Sequence, residues 1–285
     1  MGTAGSYAGF CAVEWPLPWP RYIADIPVLA PLASVLEERG VRLQVVAPKR
    51  SGAPRLRVVC YRRPPGPGFA RYERAEALAR PEDLLTAAVD LLDGGAGDPT
   101  AAKPVSADVL VCSHGRRDVC CGALGTAVAE ELERGVLGPD VRCWRTSHTG
   151  GHRFAPTALV FPEGTAWAFV DAAMLRRIVH RLGPLEDLLP RYRGCAGLGS
   201  PAVQALERAA LVEASWDLFD LPRRGEQLGD GRLRLSARST DGTLWAWEGT
   251  VVAGRLLPVP ECGRPIGEAK GSQAELAVVD VRRIS

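Results

Sequence analysis

The chain has no long apolar run and almost no excess of charge of one sign. No stretch of its 285 residues approaches the roughly 20 consecutive apolar residues that a membrane helix needs. The N-terminus, MGTAGSYAGFCAVEW, lacks a basic segment followed by an apolar one, so it does not read as a secretory signal, and a cytoplasmic protein is expected. Met1, Gly2 and Ser6 satisfy the loose myristoylation pattern, but that pattern arises by chance too often to outweigh a composition that looks bacterial. Net charge is only +2 and the basic residues are scattered, so there is no electrostatic footprint for nucleic acid or an anionic membrane, and neither is expected as a partner. Lysine is scarce, 3 against 32 arginines, beside plentiful Ala, Gly and Pro; a GC-rich genome explains that bias without any function. Histidine is scarce as well, with 4 in all, which makes their positions informative.

What is present is enough apolar material, 46% of residues, to build a substantial core. A prior of about 150 residues per domain suggests about two domains. Residues 26 to 39, IPVLAPLASVLEER, have helical spacing and stop at Gly40; VRLQVVA and RLRVVCY then read as strands, and EDLLTAAVDLLDG as a second amphipathic helix. The stretch 94 to 104, GGAGDPTAAKP, is a linker by composition and the best boundary in the chain. Beyond it come strand ADVLVCS, a polar loop, a helix from about Gly122 to Arg134, strand VRCWRTS, strands TALVF and AWAFV around Pro162-Glu163-Gly164, and helix MLRRIVHRL. With the TALVF–AWAFV hairpin counted once, the order is βαββα, which matches the minimal thioredoxin-like core, with the first two strands parallel. Three segments follow: an N-terminal α/β lobe over 1–104, whose weaker version of the same order fits either a degenerate repeat or chance similarity; a central domain over 105–200; and a small α+β extension over 201–285. The expected class is therefore α/β with a mixed sheet.

Three of the four histidines and four of the eight cysteines fall within residues 112 to 152. Strand ADVLVCS delivers Cys112, and Cys120 with Cys121 sits where the next helix begins, at the positive end of its dipole, which favours a thiolate. His148 and His152 flank Thr149-Gly150-Gly151, and two adjacent glycines argue for a loop rather than a helix. If the two strands before these loops are parallel neighbours, both loops leave the same edge of the sheet and the four donors converge. Cys2His2 is a common zinc set, and H-x3-H is within zinc spacing. The wide C-x8-C interval argues instead for a larger object than one ion, since zinc sites usually aim two sulfurs from a single turn.

Residues 111 to 122, VCSHGRRDVCCG, with WRTSHTGGHRFAPTALVFPEG at 144 to 164, closely resemble the sucrase/ferredoxin-like family. The resemblance is dense over residues 107 to 172 and looser outside, where PLPWPR at 16 to 21 and Cys262-Gly263 look familiar without an assigned role. It implies a thioredoxin-like ferredoxin domain with a 2Fe-2S cluster ligated by Cys112, Cys121, His148 and His152. Bare spacing does not choose between Cys120 and Cys121; the resemblance favours Cys121. Two imidazoles in place of two thiolates remove negative charge, so the implied potential is in the Rieske range, roughly −150 to +300 mV, rather than near the −400 mV or so of plant-type clusters. The family name does not imply a glycosidase, and no pair of carboxylates is placed for that chemistry.

His114 and Cys120 are expected beside the centre, His114 bonding backbone, and Arg116, Arg117, Arg145 and Arg153 are candidates for a basic rim, each of them equally well a solvated loop charge. Cys143 reads as a small core residue in a strand, and Cys11, Cys60, Cys195, Cys262 and His180 as structural. The implied function is an electron carrier or redox sensor, not a catalyst in its own right, that works with another redox protein. The rivals are a thiol oxidoreductase using Cys120 and Cys121, which would lack C-x-x-C, and a structural zinc domain for interaction.

Overall fold

The computed structural model describes residues 2–49, 52–98, 105–239, 241–260 and 264–285, and leaves the side chain of His152 outside the described residues. Met1, Cys262 and residues 99–104 of the compositional linker are outside them too. The chain is mixed α/β, with a nine-stranded mixed sheet and a separate four-stranded antiparallel sheet.

In chain order the first part comprises β1 (Gly9–Glu14), α1 (Ala30–Glu38), β2 (Val41–Val46), β3 (Leu56–Arg62), β4 (Glu73–Ala79) and α2 (Leu84–Leu92). The second comprises β5 (Ala107–Cys112), α3 (Thr126–Glu131), β6 (Val141–Thr146), β7 (Ala158–Phe161), β8 (Thr165–Trp167), α4 (Ala172–His180) and β9 (Tyr192–Cys195). α5 (Pro201–Ala214) then leads into β10 (Arg223–Gly229), β11 (Arg232–Arg238), β12 (Leu244–Pro258) and β13 (Ser272–Arg283).

The large sheet runs β4-β3-β1-β2-β6-β5-β7-β8-β9. From its middle outward the two sides have one pattern: β2 is parallel to β1, as β6 is to β5, and every further step is antiparallel. The sides meet where the C-terminal ends of β2 and β6 overlap at Val46 and Thr146, with Ala47 N–H bonding Arg145 O at 2.9 Å and Ser147 N–H bonding Val45 O at 2.7 Å. The sheet is folded so that aromatic rings from distant strands touch. Tyr61 of β3 stacks on Phe161 of β7 with centroids 4.0 Å apart, and Phe10 of β1 meets the same ring edge-on at 4.9 Å. Offset and edge-to-face pairs of this kind contribute about 1 kcal/mol each beyond their buried area.

Three strands run against local sequence preference. β4 is ERAEALA, good helix formers throughout, yet it pairs along its whole length with β3, and its Glu76 is buried among Arg57, Arg74 and Arg142. β1 and β9 are short and buried from end to end, so neither offers an alternating pattern to read. The helix expected over 26 to 39 starts only at Ala30, where Pro31 occupies the first turn that proline tolerates. The expected helix from Gly122 to Arg134 is wider: π-type turns over Cys121–Gly125 and Leu132–Val136 flank α3. Among the described residues no helix is long and apolar enough to cross a membrane.

Candidate metal centre

β5 is buried along its full length, and Cys112 is its last residue, opposite Thr146 at the end of the parallel neighbour β6. The chain then turns tightly: the His114 carbonyl accepts from the N–H groups of Arg117 and Asp118, and buried Asp118 accepts the Cys121 N–H on Oδ1 at 3.1 Å. That bond fixes the start of the helical segment and places Cys121 in its first turn. Gly125, one turn on, lies against the strand so closely that a Cβ there would be 1.9 Å from the Cys112 carbonyl oxygen. Only glycine lets the helix come that near.

The result is that the buried thiols of Cys112 and Cys121 share a hydrogen bond. Cys112 is held well below the ordinary thiol range by the Cys121 thiol first, then by the His148 imidazole and the backbone N–H groups of His114 and Thr149, against the opposing effect of burial. Cys121, the partner that keeps its proton, is pushed up by the same bond and by burial. Cys120 is half-buried. A thiolate facing a thiol, with an imidazole beside the thiolate, is a soft-to-borderline donor set.

The histidine loop is built with equal care. Its Gly150 and Gly151 have φ of 87° and 75°, a left-handed conformation in which other residues are strained, and this turns the backbone back after His148. The His148 carbonyl accepts from Arg42 Nη2 at 2.8 Å and from the amide of buried Gln44 at 3.4 Å, both on β2. Thr149 Oγ1 is 2.7 Å from Thr157 Oγ1, and the Thr157 carbonyl accepts the Cys112 N–H at 2.9 Å. Buried Arg193 of β9 donates to the Gly150 carbonyl at 3.0 Å. His148 Nδ1 is buried with no hydrogen-bond partner among the described residues.

His114 ties the two loops to a third. Its Nε2 is 2.8 Å from the Pro20 carbonyl, which can only accept, so Nε2 carries the proton; its Nδ1 accepts the His148 N–H at 3.4 Å. Both ring nitrogens are thus spent, and burial lowers the pKa and keeps the ring neutral. Trp19 packs edge-on against this ring at 5.7 Å, which gives the PLPWPR segment its place: it forms one wall of the cysteine loop. Of the arginines singled out in the sequence, Arg116 and Arg117 are exposed, with Arg117 over the Tyr22 ring at 4.7 Å, and Arg145 bonds Thr126 Oγ1 at 3.2 Å. Arg153 stands over the Phe154 ring at 4.6 Å. Sequence reasoning missed Arg42, Gln44 and Arg193. They lie on strands remote in sequence, and nothing local marks a strand residue as the support of a distant loop.

Cys143 is buried in β6, Cys11 and Cys60 face each other across β1 and β3, and Cys195 is buried in β9. His180 bonds the Leu137 carbonyl at 3.0 Å. Among the described residues no group of three or more His, Cys, Asp or Glu side chains is set to hold a metal ion, a statement that does not reach the side chain of His152. The donors that are described, two adjacent thiols and an unpaired imidazole nitrogen, nonetheless fit a soft or borderline metal in kind.

The sucrase/ferredoxin-like family matches the chain over residues 14–194, which spans both loops and the strands that carry them. The chain belongs to the sucrase/ferredoxin-like family. Among curated proteins, this family member is 34% identical over 59 residues to altered inheritance of mitochondria protein 32 of Meyerozyma guilliermondii, covering 19% of the chain and 21% of that relative. It is 36% identical over 57 residues to the protein of the same name from Debaryomyces hansenii, with the same shares of each chain. The chain thus covers about a fifth of the length of the curated relatives it matches.

Proposed function

We propose that Cys112, Cys121, His148 and His152 hold a 2Fe-2S cluster, and that this sucrase/ferredoxin-like protein is a cytoplasmic one-electron carrier or redox sensor that exchanges electrons with another redox protein. The observation that carries the reading is the buried Cys112–Cys121 thiol pair with the His148 imidazole against Cys112, at the C-terminal ends of two parallel strands. Such a cluster would supply a reversible one-electron couple. The chain's own residues do the rest. Asp118 and Gly125 set the separation of the two sulfurs, His114 locks the loops together while staying neutral, and Arg193 places a buried positive charge against the histidine loop. The β6-β5-β7-β8 group with α3 and α4 is read as a thioredoxin-like unit over 105–200, the β2-β1-β3-β4 group as its degenerate repeat over 1–104, and residues 201–285 as an extension.

Iron, labile sulfide and zinc assays on anaerobically purified protein test this. About two irons and two sulfides per chain are expected, lost in Cys112→Ser and Cys121→Ser and kept in Cys120→Ser. Stoichiometric zinc without labile sulfide, even after reconstitution, would refute it. The depressed Cys112 thiol against Cys121 favours one alternative, a dithiol oxidoreductase built on that pair; it would be colourless and would form a Cys112–Cys121 disulfide.

A further inference from the structure

Next to the histidine loop, two adjoining cavities of about 340 and 380 Å³ share a wall made by Thr3, Arg153, Phe154 and Arg193. Arg208 lines the smaller recess, together with Tyr192 and Arg193 of β9. These volumes suit a small molecule, since ligand pockets usually measure about 300 to 1,000 Å³.

The charges around them are unbalanced. Arg193 is buried and gives its bonds to neutral acceptors, the Gly150 carbonyl at 3.0 Å and the Thr3 carbonyl at 2.7 Å. Arg153 donates to the Gln273 amide oxygen at 2.9 Å, and its Nη1 is buried with no partner. Arg208 donates to the Leu189 carbonyl at 2.8 Å. Glu275, the carboxylate that also lines the recess, is paired with Arg255 at 3.3 Å. Arg153 and Arg193 stand over the same Phe154 ring, at 4.6 and 5.0 Å. Burial and the like charges of Arg153 and Arg42 pull Arg193 down to about 10, while the thiols of Cys112 and Cys121 offset this only in part. Three guanidinium groups round a recess whose carboxylate, Glu275, is also shared with Arg255 leave positive charge in excess, and an oxyanion is the partner whose geometry they match. Beside them Phe169 is half-exposed, at 49%, and has φ 51°, a strained conformation for an aromatic residue, so that a bare ring faces the recess.

We propose that this recess binds a small molecule bearing a phosphate or carboxylate group, held by Arg153, Arg193 and Arg208, with Phe169 offering a flat face to the rest of it. The proposal does not depend on what the cysteines hold.

The test is titration calorimetry on the full chain, iron-loaded and iron-free, with inorganic phosphate and, separately, citrate, at fixed ionic strength. One saturable site is expected with at least one of the two anions, weakened at least tenfold in Arg153→Gln and in Arg208→Gln. Binding of phosphate alone assigns a phosphorylated ligand, and of citrate alone a carboxylic acid. If either variant loses its circular dichroism spectrum, phenylglyoxal modification of the wild type replaces it, and the bound anion should protect Arg153 and Arg208. Absence of saturable binding by both anions, affinity unchanged in the folded variants, or no protection would overturn the proposal.

Discussion

Gly125→Ala isolates the contact that brings the two cysteines together. Gly125 has helical angles, φ −69° and ψ −32°, so alanine is conformationally welcome and on propensity alone would stabilise by about 1 kcal/mol. The new methyl, however, would stand 1.9 Å from the Cys112 carbonyl oxygen, a backbone atom in a buried strand that cannot step aside. A carbon rests against such an oxygen at about 3.3 Å, so the helix must retreat by roughly 1.4 Å. Overpacking of this kind costs about 3 kcal/mol, which leaves a net loss near 2 kcal/mol. The displacement matters more than the energy, because Cys121 is on the same helical segment and sites of this kind tolerate only about 0.5 Å. Urea unfolding monitored by circular dichroism should show the lowered midpoint, and the purified variant should retain little iron or sulfide. Gly199→Ala serves as the control, since a Cβ there meets nothing within 4 Å. If Gly125→Ala matches Gly199→Ala in both stability and iron content, the close approach of helix to strand is not what sets the sulfur pair.

Three further outcomes follow from the same geometry. His114 is a base with a folded-state pKa below its unfolded one, so the unfolded chain binds its proton first; the stability this ring allows is present above about pH 6.5 and lost as pH falls below it, at up to about 1.4 kcal/mol per pH unit. His114→Gln should flatten that part of the urea midpoint against pH, and an unchanged slope would contradict the neutral, doubly bonded ring. Arg223 and Glu207, both with fully buried side chains and 2.7 Å apart, tie α5 to β10; Arg223→Ala should cost about 3 to 5 kcal/mol by stranding the carboxylate, and adding Glu207→Gln should restore part of it in a double-mutant cycle. If His148 and His152 ligate iron, the midpoint potential should fall by about 59 mV per pH unit at alkaline pH and be flat in acid, and replacing both by cysteine should lower it by a few hundred millivolts; a potential independent of pH throughout would count against imidazole ligation.

The fold was legible where local pattern and tertiary demand agree. β5 is apolar and valine-rich, α2 buries Leu84, Ala88, Leu91 and Leu92 on one face, and Asp171 caps α4 through a 2.7 Å bond to the Met174 N–H. It was illegible where pairing overrides preference. β4 has the composition of a helix and becomes a strand because β3 offers it an edge and three arginines neutralise its Glu76. In the candidate site, crowding and the double glycine pointed to Cys112, to Cys120 or Cys121 without choosing between them, and to His148, because unusual residues at short range are visible in one dimension; the choice of Cys121 came from the family resemblance. The supports were not visible. Arg193, Gln44 and Pro20 reach the two loops from three other places in the chain, and their residue types are ordinary.

The thin backbone seam at Val46 and Thr146 means that the two strand groups hold together chiefly through side chains such as Phe10, Tyr61 and Phe161. Opening the chain within residues 94 to 104 would leave each fragment with an uncovered aromatic face that only the other fragment fits. The Pro20 carbonyl comes on one fragment and the His114 ring that it locks comes on the other. Complementation would therefore lock the His114 ring, and with it the histidine loop, only when the fragments meet, so this scaffold, fused to two other proteins, becomes a reporter of their proximity.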